Sequence, residues 1–71
     1  MKSYLDCELL HRMLSGAARA RGLSMREIAT IAGVSASTIT RLKAGNEPSS
    51  SGLLSLCLFL GVDATCFVRI K

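Results

Sequence analysis

The groups in this chain that could do chemistry are few and unevenly placed. Ala36, Ser37, Thr40 and Arg41 lie close together, with Lys43 just beyond them. Ser37 and Thr40 can donate or accept a hydrogen bond, Ala36 offers a methyl surface, and Arg41 carries a fork of donors. That is a set for holding polar edges and not for breaking bonds. His11 is the lone histidine and has no Ser, Cys or carboxylate arrangement around it that would make a nucleophile. Cys7, Cys57 and Cys66 form neither a CxxC nor a Cys/His cluster, so no metal ligand set is visible. There is no phosphate loop and there are no paired carboxylates, so no cofactor is expected and an enzyme is the least favoured class.

Charge sharpens the picture. The chain has 71 residues and a net charge of +4. Arg12, Arg19, Arg21, Arg26, Arg41 and Lys43 face Glu27 alone, a local +5 over residues 12–43, whereas residues 1–11 carry −1 and residues 44–71 carry 0. Taken alone, a basic stretch is most often a solvated face. Centred on a hydrogen-bonding set, it suits a polyanion, because neutralising phosphates releases condensed counterions.

Two short helices joined by a tight turn would position these groups. Met25–Ala32 and Ala36–Leu42 read as helices, with Gly33-Val34-Ser35 between them. Ser24 can cap the first, Glu27 completes a capping box, and Ser35 can cap the second. Gly33 falls where the first helix must stop in a left-handed conformation. Ile28, Ala29 and Ala32 share one face of the first helix, and Ile39 and Leu42 share one face of the second. Val34 can plug the corner, and the small Ala29 lets the helices approach where they cross. With Val34, Ile39 and Leu42 turned inward, Ala36, Ser37, Thr40 and Arg41 are left facing out.

Here the chain resembles the helix-turn-helix of the lambda-repressor-like and Cro-like, or Xre, DNA-binding domains. Ile28-Ala29, Ala32-Gly33-Val34, Ile39 and Leu42 each fit that pattern. Gly45-Asn46-Glu47-Pro48-Ser49, followed by Leu53, Leu56, Cys57, Leu60, Gly61 and Val62, is similar to the family's loop and fourth helix. Met25 stands where many relatives have Gln, and Lys43 where many have Glu. The resemblance implies an all-α fold: a compact four- to five-helix lambda-repressor-like domain containing a helix-turn-helix. It spans residues 1–71 as a single domain, with the motif at 25–42.

The resemblance further implies double-stranded DNA as the partner, with the second helix of the motif in the major groove, where base edges are distinguishable. Ala36, Ser37, Thr40 and Arg41 are then the base-contacting candidates. Arg26, Ser35, Lys43 and Asn46 are the phosphate-contacting candidates, helped by oriented N–H groups at the helix N-termini. A repressor of phage or prophage, Cro-like type is the expected function.

The rest of the chain has to build a core from aliphatic side chains, since only three residues are aromatic. A first helix is expected over about Tyr4 to Arg21, capped by Ser3, with Leu10, Met13, Leu14, Ala17 and Ala18 inward and His11 exposed. Nothing in the pattern suggests a sheet. Ser49 is the expected cap of a fourth helix, about Ser50 to Leu60, and Asp63 that of a short fifth, Ala64 to Phe67. The apolar run Leu53–Val62 is too short to span a bilayer, and no membrane association is expected. With no leader and an odd number of cysteines, a reduced cytoplasmic setting is expected.

The fourth helix is apolar nearly all round, which calls for a second partner. A homodimer is therefore expected through a region within 53–70, with Leu54, Leu58, Phe59, Phe67, Val68 and Ile70 as the candidate interface. The competing readings are that some of these residues close the bottom of the core, or that the patch binds a different protein, as in an antitoxin or adaptor. No small-molecule ligand is evident.

Overall fold

A computed structural model describes residues 2–70. In chain order it runs β1 (Ser3–Leu5), α1 (Cys7–Arg21), α2 (Met25–Ala32), α3 (Ala36–Lys43), α4 (Ser50–Leu60), a 3-10 turn (Ala64–Phe67) and β2 (Val68–Ile70). The four helices close around one core in which Leu10, Leu14, Ile28, Leu42, Leu56 and Phe67 are fully buried. The inward stripe of α1 narrows to Cys7, Leu10, Leu14 and Ala18. Met13 and Ala17 are half-buried, and so is His11, expected in solvent.

The motif folds as its residues dictate. Ser24 Oγ accepts the Glu27 N–H at 3.1 Å, and the Glu27 carboxylate accepts the Ser24 N–H at 3.0 Å, which satisfies two otherwise orphaned donors at the start of α2. Gly33 ends α2 at φ 79°, a conformation that costs an L side chain about 1–2 kcal/mol. From there the Val34 N–H returns to the Ala29 carbonyl at 3.0 Å, and the half-buried Val34 packs on the core at the corner. The close of α3 depends on a second left-handed glycine, Gly45 at φ 88°, which lets the Asn46 N–H reach the Arg41 carbonyl at 2.9 Å.

The two ends of the chain depart from expectation. Tyr4 and Leu5 do not belong to α1. Ser3, Tyr4 and Leu5 pair antiparallel with Ile70, Arg69 and Val68, a two-stranded ribbon where no sheet was anticipated. Asp6, and not Ser3, caps α1: its Oδ1 accepts the Leu9 N–H at 3.0 Å. Its other carboxylate oxygen lies 3.5 Å from Arg69 Nε, and its N–H donates to the Phe67 carbonyl at 2.6 Å. A helix beginning at Tyr4 would forgo all three contacts.

Phe67 is likewise corrected. Its ring is 0% exposed, because the 3-10 turn capped by Asp63 folds it inward against α1 and α4, so it offers no surface to a second chain. Phe67→Ala should destabilise the domain by about 3–5 kcal/mol, whereas Leu58→Ala, at an 83% exposed position, should leave the stability of the dilute, monomeric chain within about 0.5 kcal/mol. Urea unfolding followed by circular dichroism measures both.

Candidate nucleic-acid interface

The outward face of α3 assembles the candidate groups on one short helix. Ala36, Ser37, Thr40, Arg41 and Lys43 are all exposed, while Ile39 and Leu42 are buried. Ser35 caps the helix, its Oγ accepting the Thr38 N–H at 3.2 Å. The same oxygen lies 3.1 Å from Ser37 Oγ and 2.8 Å from Thr38 Oγ1, so three hydroxyls form one cluster at the start of α3. Thr40 behaves differently, since its hydroxyl donates to the Ala36 carbonyl at 3.2 Å.

The electrostatics leave this face positive. Among the described residues the ion pairs are Arg12 with Glu8 and Arg69 with Asp6. Arg26, Arg41 and Lys43 therefore carry no paired acid, and Glu27, the one acid of residues 12–43, is committed to the capping box. Arg41 and Lys43 also occupy the last turn of α3, where cations suit the negative end of the helix dipole. Arg21 is directed elsewhere, stacking over the Phe59 ring at 4.7 Å.

A cleft not anticipated from the sequence lies beside this face. Ser35 and Thr38 of the α3 start, together with Ser49 and Ser51 of the α4 start and Ser55 of mid-α4, are among its lining residues. Ser49 is the α4 cap, accepting the Gly52 N–H at 3.2 Å. Of the serines that follow α3, Ser49 thus acts first as a helix cap. The caps Ser35 and Ser49 stand fourteen residues apart and share no pattern, but each is a Ser directly before a helix, which is readable one at a time. Asn46 is exposed in the same connection, and the adjacent Glu47 carboxylate accepts the Leu5 N–H of β1 at 3.3 Å.

The candidate interface residues divide. Leu54, Leu58, Val68 and Ile70 are exposed, Phe59 is half-buried beneath Arg21, and Phe67 lies in the core. Tyr4, 44% exposed on the ribbon, joins the apolar surface although its sequence position gave no reason to include it. Among the described residues no group of His, Cys, Asp or Glu could hold a metal ion. None of the described helices is long and apolar enough to cross a membrane.

A capped helix pair with a left-handed glycine turn, a buried Ile/Leu inner face and an unpaired basic outer face defines a helix-turn-helix DNA-binding domain. Residues 17–65 match the family model described as helix-turn-helix, of the lambda-repressor/Xre-like kind, and the chain belongs to that family. It is a DNA-binding transcription regulator of the Xre type. No curated protein matches the chain, and no solved structure does. The match leaves out β1, the first part of α1 and β2.

The cysteines lie outside this chemistry. Burial raises the pKa of the Cys7 thiol, aided by the negative charges of Glu47 and Asp6, and burial with Asp63 and Cys66 raises that of Cys57. Both are thereby kept as thiols near neutral pH, while Cys66 is exposed. Titration of the native chain with a thiol reagent at pH 7.5 should show one fast equivalent, lost in Cys66→Ser, and the other two only on unfolding.

Proposed function

We propose that this chain is a sequence-specific repressor of the short Cro-like type, acting as a homodimer on a pseudo-palindromic operator. The observation that carries the reading is the outer face of α3, where Ser37, Thr40 and Arg41 stand free of the core with no acid paired to Arg41. In this reading Ala36, Ser37, Thr40 and Arg41 meet base edges in the major groove, and Arg26, Ser35, Lys43 and Asn46 hold phosphates on either side. A dimer sets two such helices about one DNA turn, ~34 Å, apart. Bound across a promoter, it represses by excluding polymerase.

The exposed Leu54 and Leu58 on α4, 63% and 83% exposed, support the pairing, since an isolated domain has no use for them. Val68 and Ile70 on β2 are the remaining exposed members of the proposed interface. The same surface would serve a different protein in an antitoxin-like or adaptor role. Sedimentation separates the two: the homodimer predicts a dimer at tens of micromolar that Leu58→Asp dissociates, and a strict monomer, unchanged by DNA, would remove it.

Selection from a randomised duplex pool at two salt concentrations tests the DNA reading. A two-fold symmetric motif is expected; salt-dependent binding without a motif would contradict it. On the selected site, Arg41→Ala should lose about 1–3 kcal/mol and relax the preference for one base pair per half-site. Lys43→Ala should weaken cognate and random DNA alike and lower the salt slope by about one unit per protomer. Equal losses on cognate and random DNA for Arg41→Ala would refute its base-reading role.

A further inference from the structure

The hydrogen-bond polarity of one recognition-helix residue is already set before any DNA arrives. A threonine hydroxyl has one hydrogen and two lone pairs, so by itself it matches either kind of base edge. In α3, Thr40 Oγ1 donates its only hydrogen to the Ala36 carbonyl one turn back, at 3.2 Å. A carbonyl oxygen cannot donate, so the direction of this bond is unambiguous, in contrast to the Ser35, Ser37 and Thr38 cluster, where either partner can donate. The bond is local to one helical turn, a recurrent rotamer for threonine in a helix, and it orients the oxygen as well as spending its proton. What Thr40 presents outward, at an exposed position, is a pair of lone pairs and a methyl group.

Its neighbour is the opposite. Arg41 has five donors and no acceptor, and none of them is engaged in an ion pair among the described residues. Adjacent residues of the outer face therefore offer complementary polarities.

We infer that Thr40 is an acceptor-only specificity residue that selects a base with an exocyclic amino group on the strand it faces, adenine or cytosine, against guanine or thymine. In the major groove adenine N6 and cytosine N4 are donors, while guanine O6 and thymine O4 are acceptors. Placing the oxygen of Thr40 against O6 or O4 would set lone pair against lone pair unless the helix bond to Ala36 were broken. The inference rests on the reading of α3 as the base-reading helix and adds the chemistry that one of its residues recognises.

The test uses the full chain and its Thr40→Val and Thr40→Ser variants. Valine keeps the branched shape and removes the oxygen; serine keeps the oxygen and its ability to bond back to residue 36. Circular dichroism confirms that each variant folds. Each chain is put through selection on the same randomised duplex pool. Expected is one position per half-site at which the parent chain and Thr40→Ser hold a preferred base pair and Thr40→Val shows no preference. At that position, replacing adenine by purine, or cytosine by pyrimidin-2-one, removes only the amino group. This should weaken the parent chain about three- to tenfold, as for one hydrogen bond, and leave Thr40→Val unchanged. A motif that Thr40→Val leaves intact, or a Thr40-dependent position at which removing the amino group leaves binding by the parent chain unchanged, overturns the assignment while leaving α3 as the reading helix. Absence of any motif for the parent chain overturns both.

Discussion

Burial of Ile39 and Leu42 is the constraint on which the functional face depends. α3 is eight residues long, well short of the length at which a helix persists alone in water. Its two buried side chains, at 3% and 0% exposure, contribute roughly 1.5–3 kcal/mol each by leaving water, and they do so against α1 and α2. The Ser35 cap and the Gly45 turn then satisfy its ends. Because both anchors lie on one face, the packing that makes the helix exist also decides which residues stay free. Ser37, Thr40 and Arg41 face solvent because Ile39 and Leu42 cannot.

The platform beneath α3 is completed by the ends of the chain. Asp6 caps α1, pairs with Arg69 and bonds to the Phe67 carbonyl, so one residue joins the start of the first helix to the last turn. The Phe67 ring is fully buried in the core, and Leu5 of the ribbon packs against that core. Glu47 links that ribbon to the connection following α3. The clasp lies largely outside residues 17–65, the stretch matched to the family.

The motif was legible because its signals are local and agree with one another. A serine cap, a glutamate three residues into the helix, a glycine stop and two apolar faces all fall within Ser24–Leu42, and the structure forms each of them. The ends were not legible, for a physical reason. Ser3–Leu5 and Val68–Ile70 pair across almost the whole chain, and three-residue strands carry no usable period. Leu5 and Leu9 extend the apolar stripe of α1, so periodicity favours a helix that begins earlier, and the contacts of Asp6 stop it. Phe67 was misplaced because a four-residue 3-10 turn gives no face to read. The outward position of Leu54 and Leu58 on α4 followed directly from helical spacing, since Leu56 and Cys57 claim the core side. The direction of the Thr40 hydroxyl could not be read at all from residue types.

Contact between DNA and the outer face of α3 can be followed through backbone amide resonances as a short duplex is added at low salt. The largest shifts should fall within residues 35–46 and at Arg26, with Leu54 and Leu58 unmoved by the DNA itself. Shifts centred on α4 and the ribbon, with Ser37, Thr40 and Arg41 unchanged, would contradict it.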